Sequence, residues 1–266
     1  MPSRNLKVAL LPIDMVFDDI EANIRQLHDR IYGLPDDIDL IVLPELCFSG
    51  YKKDSESMRA LAQTDDGICM SNVRLWSVDR NAAICGSFIG ISADGHIYNR
   101  GFMADPDSDS VYFYNKRHLF SSGGEQNVFT HGEELPPVIT FRTWRLKQAI
   151  CYDVRFPVWN RNYDLHYDAL IVSSNWPNSR YYAWKHMLIA RAIENQIYVA
   201  GCDREGVDDY GEYKRFDSMI INDWGQIISK NRDDGTLIGE FDGARLQHNR
   251  KQFTDWRDAD DFKLKF

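Results

Sequence analysis

The sequence predicts a single α/β domain in which short β-strands alternate with helices. Three observations support this prediction: almost wholly apolar runs of strand length recur along the chain, amphipathic segments of helical periodicity separate them, and no Pro/Ser/Gly-rich linker divides the 266 residues. The composition is typical of a globular protein, with 44% hydrophobic and 27% charged residues. A chain of this length can bury a sizeable core, so residues 1–266 are treated as one domain.

The first half of the chain is predicted to contain five strands and two helices. The first helix has Ile and Leu residues at helical spacing, Asp18 at the N-cap position and Gly33 at its C-terminal stop. The short polar turn 105-DPDSD-109 separates two strand-like runs and predicts a hairpin. The predicted strands are 6-LKVALLPI-13, 39-DLIVLPE-45, 82-AAICGSFIGI-91, 97-IYNRGFMA-104 and 111-VYFYNK-116, and the predicted helices span 18–33 and about 68–80.

The second half repeats this alternation and ends in a charged segment. A helix opened by Pro157 is predicted, and 224-WG-225 is predicted to be a hairpin turn. From about residue 242 the chain carries 11 charges and few apolar residues, which indicates either a solvated tail or an arm reaching a second subunit. The predicted strands are 145-RLKQAIC-151, 168-DALIVSS-174, 197-IYVAGC-202, 216-FDSMIIND-223 and 226-QIISKN-231, and a long helix spans about 180–196.

Charge, hydropathy and motifs exclude several classes of function. The formal net charge of −9 disfavours non-specific binding to nucleic acid, and no apolar run approaches the length of a membrane span. Five scattered cysteines without a CxxC pair, and an N-terminus without a cleavage-site pattern, predict a cytoplasmic protein with free thiols. Nucleotide-binding, zinc-protease and serine-hydrolase motifs are absent, and the seven histidines show no metal-ligand spacing, so no metal is expected.

Three predicted strands end in a reactive side chain: Glu45, Lys116 and Cys151. Sites in α/β proteins form outside the carboxyl ends of strands, so a shared rim would bring a carboxylate, an ammonium and a thiol together. These three groups suffice for acyl transfer, as base, oxyanion partner and nucleophile. Each group also has a structural explanation, because such residues are often a core thiol, a surface carboxylate or part of a solvated basic run, here 116-KRH-118.

Three segments in order resemble the motifs of the nitrilase superfamily of carbon–nitrogen hydrolases: 42-VLPELCFSGY-51, 115-NKRHLF-120 and 150-ICYDVRFP-157. The resemblance implies a four-layer α-β-β-α sandwich. It also implies that Glu45 is the base, Lys116 the lysine and Cys151 the nucleophile. The family's second glutamate, which would hold the lysine and help to move a proton, matches Glu125 best, with Glu133 and Glu134 as less favoured alternatives.

The same resemblance implies how a substrate would be held. The oxyanion would lie between Lys116 and the backbone N–H of Tyr152, and the lysine charge would favour the Cys151 thiolate. Trp176 either lines the pocket or is a core aromatic. Arg155 either pairs with Asp153 to fix the turn, which we favour, or binds a substrate carboxylate.

Among superfamily members, the chain most resembles bacterial omega-amidases, through 150-ICYDVRFPVWNRN-162, 174-SNWP-177 and 190-ARAIENQIYVAGCDREG-206. This implies ammonia release from small amides, 2-oxoglutaramate and 2-oxosuccinamate, without a cofactor, in a homodimer or higher homo-oligomer. Three alternatives remain open: an N-carbamoyl or aliphatic amide hydrolase with the same residues, a non-catalytic interaction module on the same fold, and a redox-sensing thiol protein. The last requires a resolving cysteine near Cys151.

Overall fold

A computed structural model describes residues 2–108 and 110–264, and these residues form two large β-sheets with helices outside them and a third sheet of only two strands. Asp109 of the predicted turn lies outside the described residues, as do positions 1, 265 and 266. The strands are β1 (Leu6–Leu10), β2 (Leu40–Val42), β3 (Ala83–Ile91), β4 (Ile97–Asp105), β5 (Ser110–Asn115), β6 (Val138–Phe141), β7 (Trp144–Ile150), β8 (Ala169–Ser173), β9 (Tyr198–Cys202), β10 (Gly206–Asp208), β11 (Gly211–Tyr213), β12 (Met219–Ile221), β13 (Lys230–Asn231) and β14 (Leu237–Phe241). The helices are α1 (Ile20–Tyr32), α2 (Ser55–Ala60), α3 (Ile68–Arg80), α4 (Tyr181–Asn195) and α5 (Gly243–Gln252).

The two large sheets pack face to face between two helical layers. One sheet has seven strands in the order β13-β14-β1-β2-β3-β4-β5, and the other has five in the order β12-β9-β8-β7-β6. Apolar side chains from both sheets, including Leu40 and Ile171, form the central core. A second core joins the seven-stranded sheet to α1 and α3, and a third joins the five-stranded sheet to α4. The predicted four-layer α-β-β-α sandwich is therefore confirmed.

Each sheet is parallel in its centre, and this arrangement positions the strand ends discussed below. Strands β1, β2 and β3 run parallel to one another, as do β7, β8 and β9. Strands that are buried on both faces read as continuous apolar runs, which is why their sequences were recognisable. The predicted hairpin is present as the antiparallel pair β4 and β5.

The first helix begins one residue later than its sequence suggested. The Asp19 carboxylate, rather than that of Asp18, caps α1 by accepting a 2.8 Å hydrogen bond from the backbone N–H of Ala22. Asp18 has a positive φ of 63° and forms the bend that precedes the cap. Gly33 closes the helix as predicted, with its N–H bonded to the carbonyl of Asp29.

The predicted helix at Pro157 is wrong. A 3₁₀ turn, Cys151–Arg155, follows β7 directly, and irregular turns come after it. The side-chain amide of Asn160 donates to the carbonyls of Asp153 (2.7 Å) and Phe156 (3.0 Å). Because these carbonyls are already satisfied by a side chain, the segment closes locally instead of continuing as a helix.

The second predicted hairpin forms only close to its turn. Gly225 donates its N–H to the carbonyl of Asn222, and a single bridge pairs Ile221 with Ile227. The chain then leaves the five-stranded sheet, and β13 pairs with β14 in the other sheet. This crossing depends on contacts between sheets, which short-range alternation of apolar residues does not encode.

The solvated-tail interpretation is wrong for residues 243–252, which form α5. Leu246 is fully buried, and the buried guanidinium of Arg250 donates to Asp168 Oδ1 (2.5 Å) and to the carbonyl of Tyr167 (3.0 Å). The high charge of this segment therefore includes a structural ion pair with the five-stranded sheet. No helix in the described ranges combines the length and the apolar character needed to cross a membrane.

Candidate active site

The three predicted strand ends meet at one cleft. Glu45 lies shortly after β2, Lys116 follows β5, and Cys151 follows β7. Glu45, Glu125 and Cys151 contribute to the wall of the cleft, which has about 660 Å³ of empty space including its mouth. Glu45 and Lys116 follow strands of the seven-stranded sheet, and Cys151 follows a strand of the five-stranded sheet. The cleft therefore lies where the two sheets meet.

Lys116 is completely buried between two carboxylates. Its Nζ donates to Glu45 Oε1 at 2.7 Å and to Glu125 Oε1 at 2.8 Å. Glu125 is therefore the glutamate that accompanies the lysine, as predicted. The alternatives Glu133 and Glu134 are exposed.

The charges of this buried cluster influence one another. Burial opposes the ammonium form of Lys116, but the nearby Glu125, Glu45 and Cys151 outweigh it and hold the lysine pKa well above its usual range. Burial also raises the pKa of Glu125, and the Glu45 charge adds to this effect while Lys116 opposes it. Lys116 is therefore a fixed positive charge, and Glu125 retains a proton to higher pH than a free carboxyl group.

Cys151 occupies a strained position at the end of β7. Its φ is +43°, a left-handed conformation that is uncommon for a residue with a side chain and is frequent at active sites. Its sulfur accepts a 3.4 Å hydrogen bond from the Ser174 hydroxyl. The thiol is 8% exposed, and it faces the same cleft as Glu45.

The charge of Lys116 favours the Cys151 thiolate, as expected, but two other effects outweigh it. Burial, followed by the negative charge of Glu45, raises the pKa of the Cys151 thiol well above its usual range despite the opposing charge of Lys116. The resting sulfur is therefore a protonated thiol. Its proton must leave during the attack on the substrate, which requires a general base in the site.

Three polar residues that the sequence reasoning did not select complete the site. Asn99 Nδ2 donates to Glu45 Oε1 at 2.7 Å, and the backbone N–H of Asn175 donates to Glu45 Oε2 at 3.0 Å. The third is Ser174, which contacts the sulfur of Cys151. Asn99 was detectable in principle, as a polar residue at a buried position of a predicted strand. Ser174 and Asn175 lie in 174-SNWP-177, one of the segments that resemble the bacterial omega-amidases.

The turn that carries the nucleophile is held by Asp153, but not through Arg155. Asp153 Oδ2 accepts from the backbone N–H of Ile150 (3.1 Å) and from the Tyr114 hydroxyl (2.9 Å). Asp153 Oδ1 accepts from the backbone N–H of His118 (3.0 Å) and lies 2.8 Å from its Nδ1. The predicted pair between Asp153 and Arg155 is therefore wrong. Arg155 is exposed, and its guanidinium lies over the ring of Trp176.

Aromatic rings form much of the cleft wall. Trp176 has both of its predicted environments, since it lines the cleft and also stacks on the core residue Trp184, with ring centroids 5.6 Å apart. Tyr152 also lines the cleft, whereas Arg155 is not part of its wall. The other residues of the wall are Tyr51, Phe120, Gly123, Asn175, Pro177, Arg180, Arg204, Asp208, Tyr210 and Tyr213. The arrangement combines a thiol, carboxylates and a buried ammonium at a largely apolar cleft, a set of groups that suits acyl transfer.

Comparison with known proteins defines the family. The model of the carbon–nitrogen hydrolase family matches residues 7–251. Omega-amidase YafV of Escherichia coli (strain K12) is 38% identical over 261 residues, covering 97% of this chain and 98% of that protein. The 2-oxoglutaramate amidase of Bacillus subtilis (strain 168) is 30% identical over 255 residues, covering 94% and 97%. The chain belongs to the carbon–nitrogen hydrolase family.

Solved structures agree with this assignment. A CN-hydrolase superfamily protein from Xanthomonas campestris is 30% identical, with a TM-score of 0.90 over 98% of this chain and 100% of that one. Nit3 of Saccharomyces cerevisiae, a member of branch 10 of the nitrilase superfamily, has a TM-score of 0.84 at 22% identity over 94% and 95% of the two chains. At that identity the likeness concerns the fold alone. The resemblance inferred from the three motifs is confirmed.

Proposed function

We propose that this protein is an omega-amidase that releases ammonia from small amides bearing a carboxylate, with 2-oxoglutaramate and 2-oxosuccinamate as substrates. The observation that carries the proposal is the buried Lys116, held between Glu45 and Glu125 beside the Cys151 thiol. The relatives named omega-amidase and 2-oxoglutaramate amidase, which match almost the whole chain, support the substrate class.

The proposed reaction has two halves that pass through a thioester. In the first, Glu45 takes the thiol proton while Cys151 attacks the amide carbonyl, and the oxyanion is stabilised by Lys116 and the backbone N–H of Tyr152. Protonated Glu45 then gives its proton to the departing nitrogen, and ammonia leaves. In the second half, Glu45 removes a proton from water as the water attacks the thioester, which yields the carboxylic acid and restores the thiol.

The neutral resting thiol explains why the base must be held so firmly. Hydrogen bonds from Asn99, Lys116 and the Asn175 N–H fix both oxygens of Glu45. A base whose orientation is fixed loses little entropy during proton transfer. The proposed roles of Glu45 and Lys116 are therefore coupled, because the lysine orients the base and also balances the charge that develops on the substrate.

The proposal is tested by measuring ammonia release from 2-oxoglutaramate, 2-oxosuccinamate, glutamine, an N-carbamoyl amino acid and a simple nitrile. We expect wild type to cleave the two oxo-acid amides and Cys151→Ala to lose activity by a factor on the order of 10³ or more. Cys69→Ala is the matched control, since it removes another buried thiol, on α3. Circular dichroism spectra of all three proteins check that the variants are folded.

Two outcomes would contradict the proposal in different ways. Cleavage of the carbamoyl compound instead of the oxo-acid amides would keep the proposed chemistry and replace the substrate. A folded wild type without activity on the whole panel would favour the interaction-module alternative.

We further propose that the protein is a cytoplasmic homodimer or higher homo-oligomer. The five cysteines are free thiols, which supports a reducing compartment. Exposed apolar side chains on and beside α4, including Tyr182 and Ile193, support self-association through that helical layer.

A further inference from the structure

We infer that Arg180 binds the carboxylate of the substrate and thereby selects amides that carry one. The inference rests on the proposed function and deepens it, because it names the residue that would distinguish 2-oxoglutaramate from a neutral amide. Arg180 ends the short 3₁₀ segment Asn178–Arg180 and lies in the wall of the cleft that contains Cys151.

The other charged groups of the cleft wall already have partners. Glu45 and Glu125 bind Lys116. Arg204 is buried and forms ion pairs with Asp208 at 2.8 Å and Asp14 at 3.2 Å. Lys116 and Arg204 are therefore both paired with carboxylates, and neither offers an unpaired positive charge to an anionic ligand.

Arg180 differs from these groups because its guanidinium contacts rings. Its Cζ lies 4.6 Å from the ring centroid of Phe120 and 5.5 Å from that of Trp176, and within residues 2–108 and 110–264 no carboxylate forms an ion pair with it. Rings that cover a guanidinium hold it in place without using its N–H groups. Its fork of donors therefore remains available for a carboxylate, which it can bind through two parallel hydrogen bonds.

The backbone of Arg180 is fixed as well. Trp176 Nε1 donates a 3.0 Å hydrogen bond to the Arg180 carbonyl, so the tryptophan ties the segment to the cleft wall through its indole N–H as well as its ring. A cation that is positioned before the ligand arrives loses less conformational entropy on binding.

The position of Arg180 suits a substrate with an amide at one end and a carboxylate at the other. From Cys151 the wall continues through Tyr152 to Phe120, whose ring centroids are 5.1 Å apart, and the Phe120 ring then contacts Arg180. When the amide carbon of 2-oxoglutaramate meets the thiol, the opposite carboxylate can extend along this aromatic wall towards the guanidinium. This assignment differs from the sequence-based alternative, Arg155, which is exposed and outside the wall.

The experiment compares two amides that differ in the carboxylate. Steady-state kinetics are measured with 2-oxoglutaramate and with 4-oxopentanamide, in which a methyl group replaces the carboxylate. For Arg180→Gln we expect kcat/KM for 2-oxoglutaramate to fall roughly 10- to 100-fold, mainly through KM, with less than about a threefold change for 4-oxopentanamide. Arg180→Lys should recover part of the loss, since it keeps the charge without the planar fork.

Two further variants make the result specific. Arg257→Gln is the matched control, because it removes an exposed guanidinium that also lies over a tryptophan ring, at 5.0 Å from Trp256, outside the cleft. Arg155→Gln tests the rival assignment. Loss of carboxylate selectivity in Arg155→Gln but not in Arg180→Gln would overturn the inference, as would an equal loss of both substrates in Arg180→Gln.

The test separates this inference from the proposed function. A wild type that releases no ammonia from 2-oxoglutaramate contradicts the proposed function and removes the inference with it. A wild type that cleaves 2-oxoglutaramate, beside an Arg180→Gln variant of unchanged selectivity, contradicts the inference alone.

Discussion

At the scale of single residues, Asp203 shows how a charge is avoided behind the cleft wall. Its Oδ1 accepts hydrogen bonds from the backbone N–H groups of Trp176 (2.7 Å) and Arg204 (3.0 Å). Its Oδ2 is buried without a hydrogen-bond partner in the described part of the chain. Burial raises the pKa of Asp203 well above its usual range although the two N–H groups favour the ionised form. The side chain is therefore neutral over a pH range in which an exposed aspartate is charged.

This raised pKa gives a signed prediction for Asp203→Asn. A group whose pKa is higher in the folded state contributes stability that is complete below its unfolded pKa and is lost as the pH rises through its folded pKa. Asparagine keeps the acceptor Oδ1 and cannot ionise. We therefore expect the variant to unfold at higher urea concentration than wild type at alkaline pH, with the difference shrinking towards pH 4.

Urea unfolding between pH 4 and pH 9 measures this difference in the free energy of unfolding. The exposed Asp258→Asn is the control and should follow wild type throughout. An Asp203→Asn variant that is less stable than wild type at every pH would show that the buried carboxylate is ionised and stabilising.

At the scale of elements, the hairpin β4–β5 and the turn after β7 form one unit. The Tyr114 hydroxyl at the end of β5 donates to Asp153, which also holds the N–H groups of Ile150 and His118. The same hydroxyl accepts the backbone N–H of Arg117 at 3.1 Å. The buried Tyr114 hydroxyl therefore connects the end of β5, which precedes Lys116, to the turn that contains Cys151.

Tyr114→Phe tests this connection. Removing the hydroxyl takes away its hydrogen bonds, including those with Asp153 and with the Arg117 N–H, so we expect the free energy of unfolding to fall by about 1–3 kcal/mol. We also expect kcat to fall several-fold with KM nearly unchanged, because the positions of Cys151 and Lys116 become less well defined. Tyr112→Phe on the same strand, where the ring is partly exposed, is the matched control. Equal effects of the two substitutions would contradict a specific role for Tyr114.

The predictions from sequence were correct for the strands and helices that a local pattern of apolar residues defines. Apolar runs identified the central strands, and helical spacing identified α1, α3 and α4, because burial on a regular face imposes these periods. The helix predicted at Pro157 was wrong because the side-chain amide of Asn160 binds the carbonyls of Asp153 and Phe156, an interaction that the spacing of apolar residues does not reveal. The hairpin predicted at 224-WG-225 does not extend to β13 for a similar reason, since the partner of that strand, β14, is defined only by the tertiary fold.

The same distinction applies to the site. Glu45, Lys116 and Cys151 could be selected because each follows an apolar strand and carries reactive chemistry. The partners Asn99 and Ser174 are neutral polar residues, whose role is visible only when distant strands are brought together. Arg180 was not selected because its significance depends on the absence of a carboxylate partner in the described structure, which sequence spacing does not reveal.

At the scale of the whole molecule, the site depends on the packing of one sheet against the other. Glu45 and Lys116 come from the seven-stranded sheet, whereas Cys151 and Asn175 come from the five-stranded sheet. The Asn175 N–H that binds Glu45 crosses this boundary. Gln148 on β7 also crosses it, donating to the carbonyl of Gly86 on β3 at 2.7 Å. The packing of the two sheets therefore fixes the position of Glu45 relative to Cys151.

The helical layer outside the five-stranded sheet carries an apolar patch, formed by Ile193 on α4 together with Trp224 and Phe253. The rings of Trp224 and Phe253 pack edge to face with centroids 4.8 Å apart. A Cβ added to Gly225 would lie 2.7 Å from Cδ1 of Ile193, so the turn that bears Trp224 rests directly on the helix. Exposed apolar groups that are contiguous in this way are typical of a contact between protein surfaces.

Ile193→Glu is therefore expected to weaken self-association, because a charge at the patch must be desolvated when two copies meet. Light scattering after size-exclusion chromatography should give at least twice the mass of one chain for wild type and a lower mass for the variant. Val78→Glu on α3 is the matched control, since Val78 and Ile193 are both 52% exposed and lie on opposite outer layers. A monomeric wild type at micromolar concentration would contradict the proposed oligomer. Dissociation by Val78→Glu alone would place the contact on the layer of α3, because only the charge introduced there would disturb it.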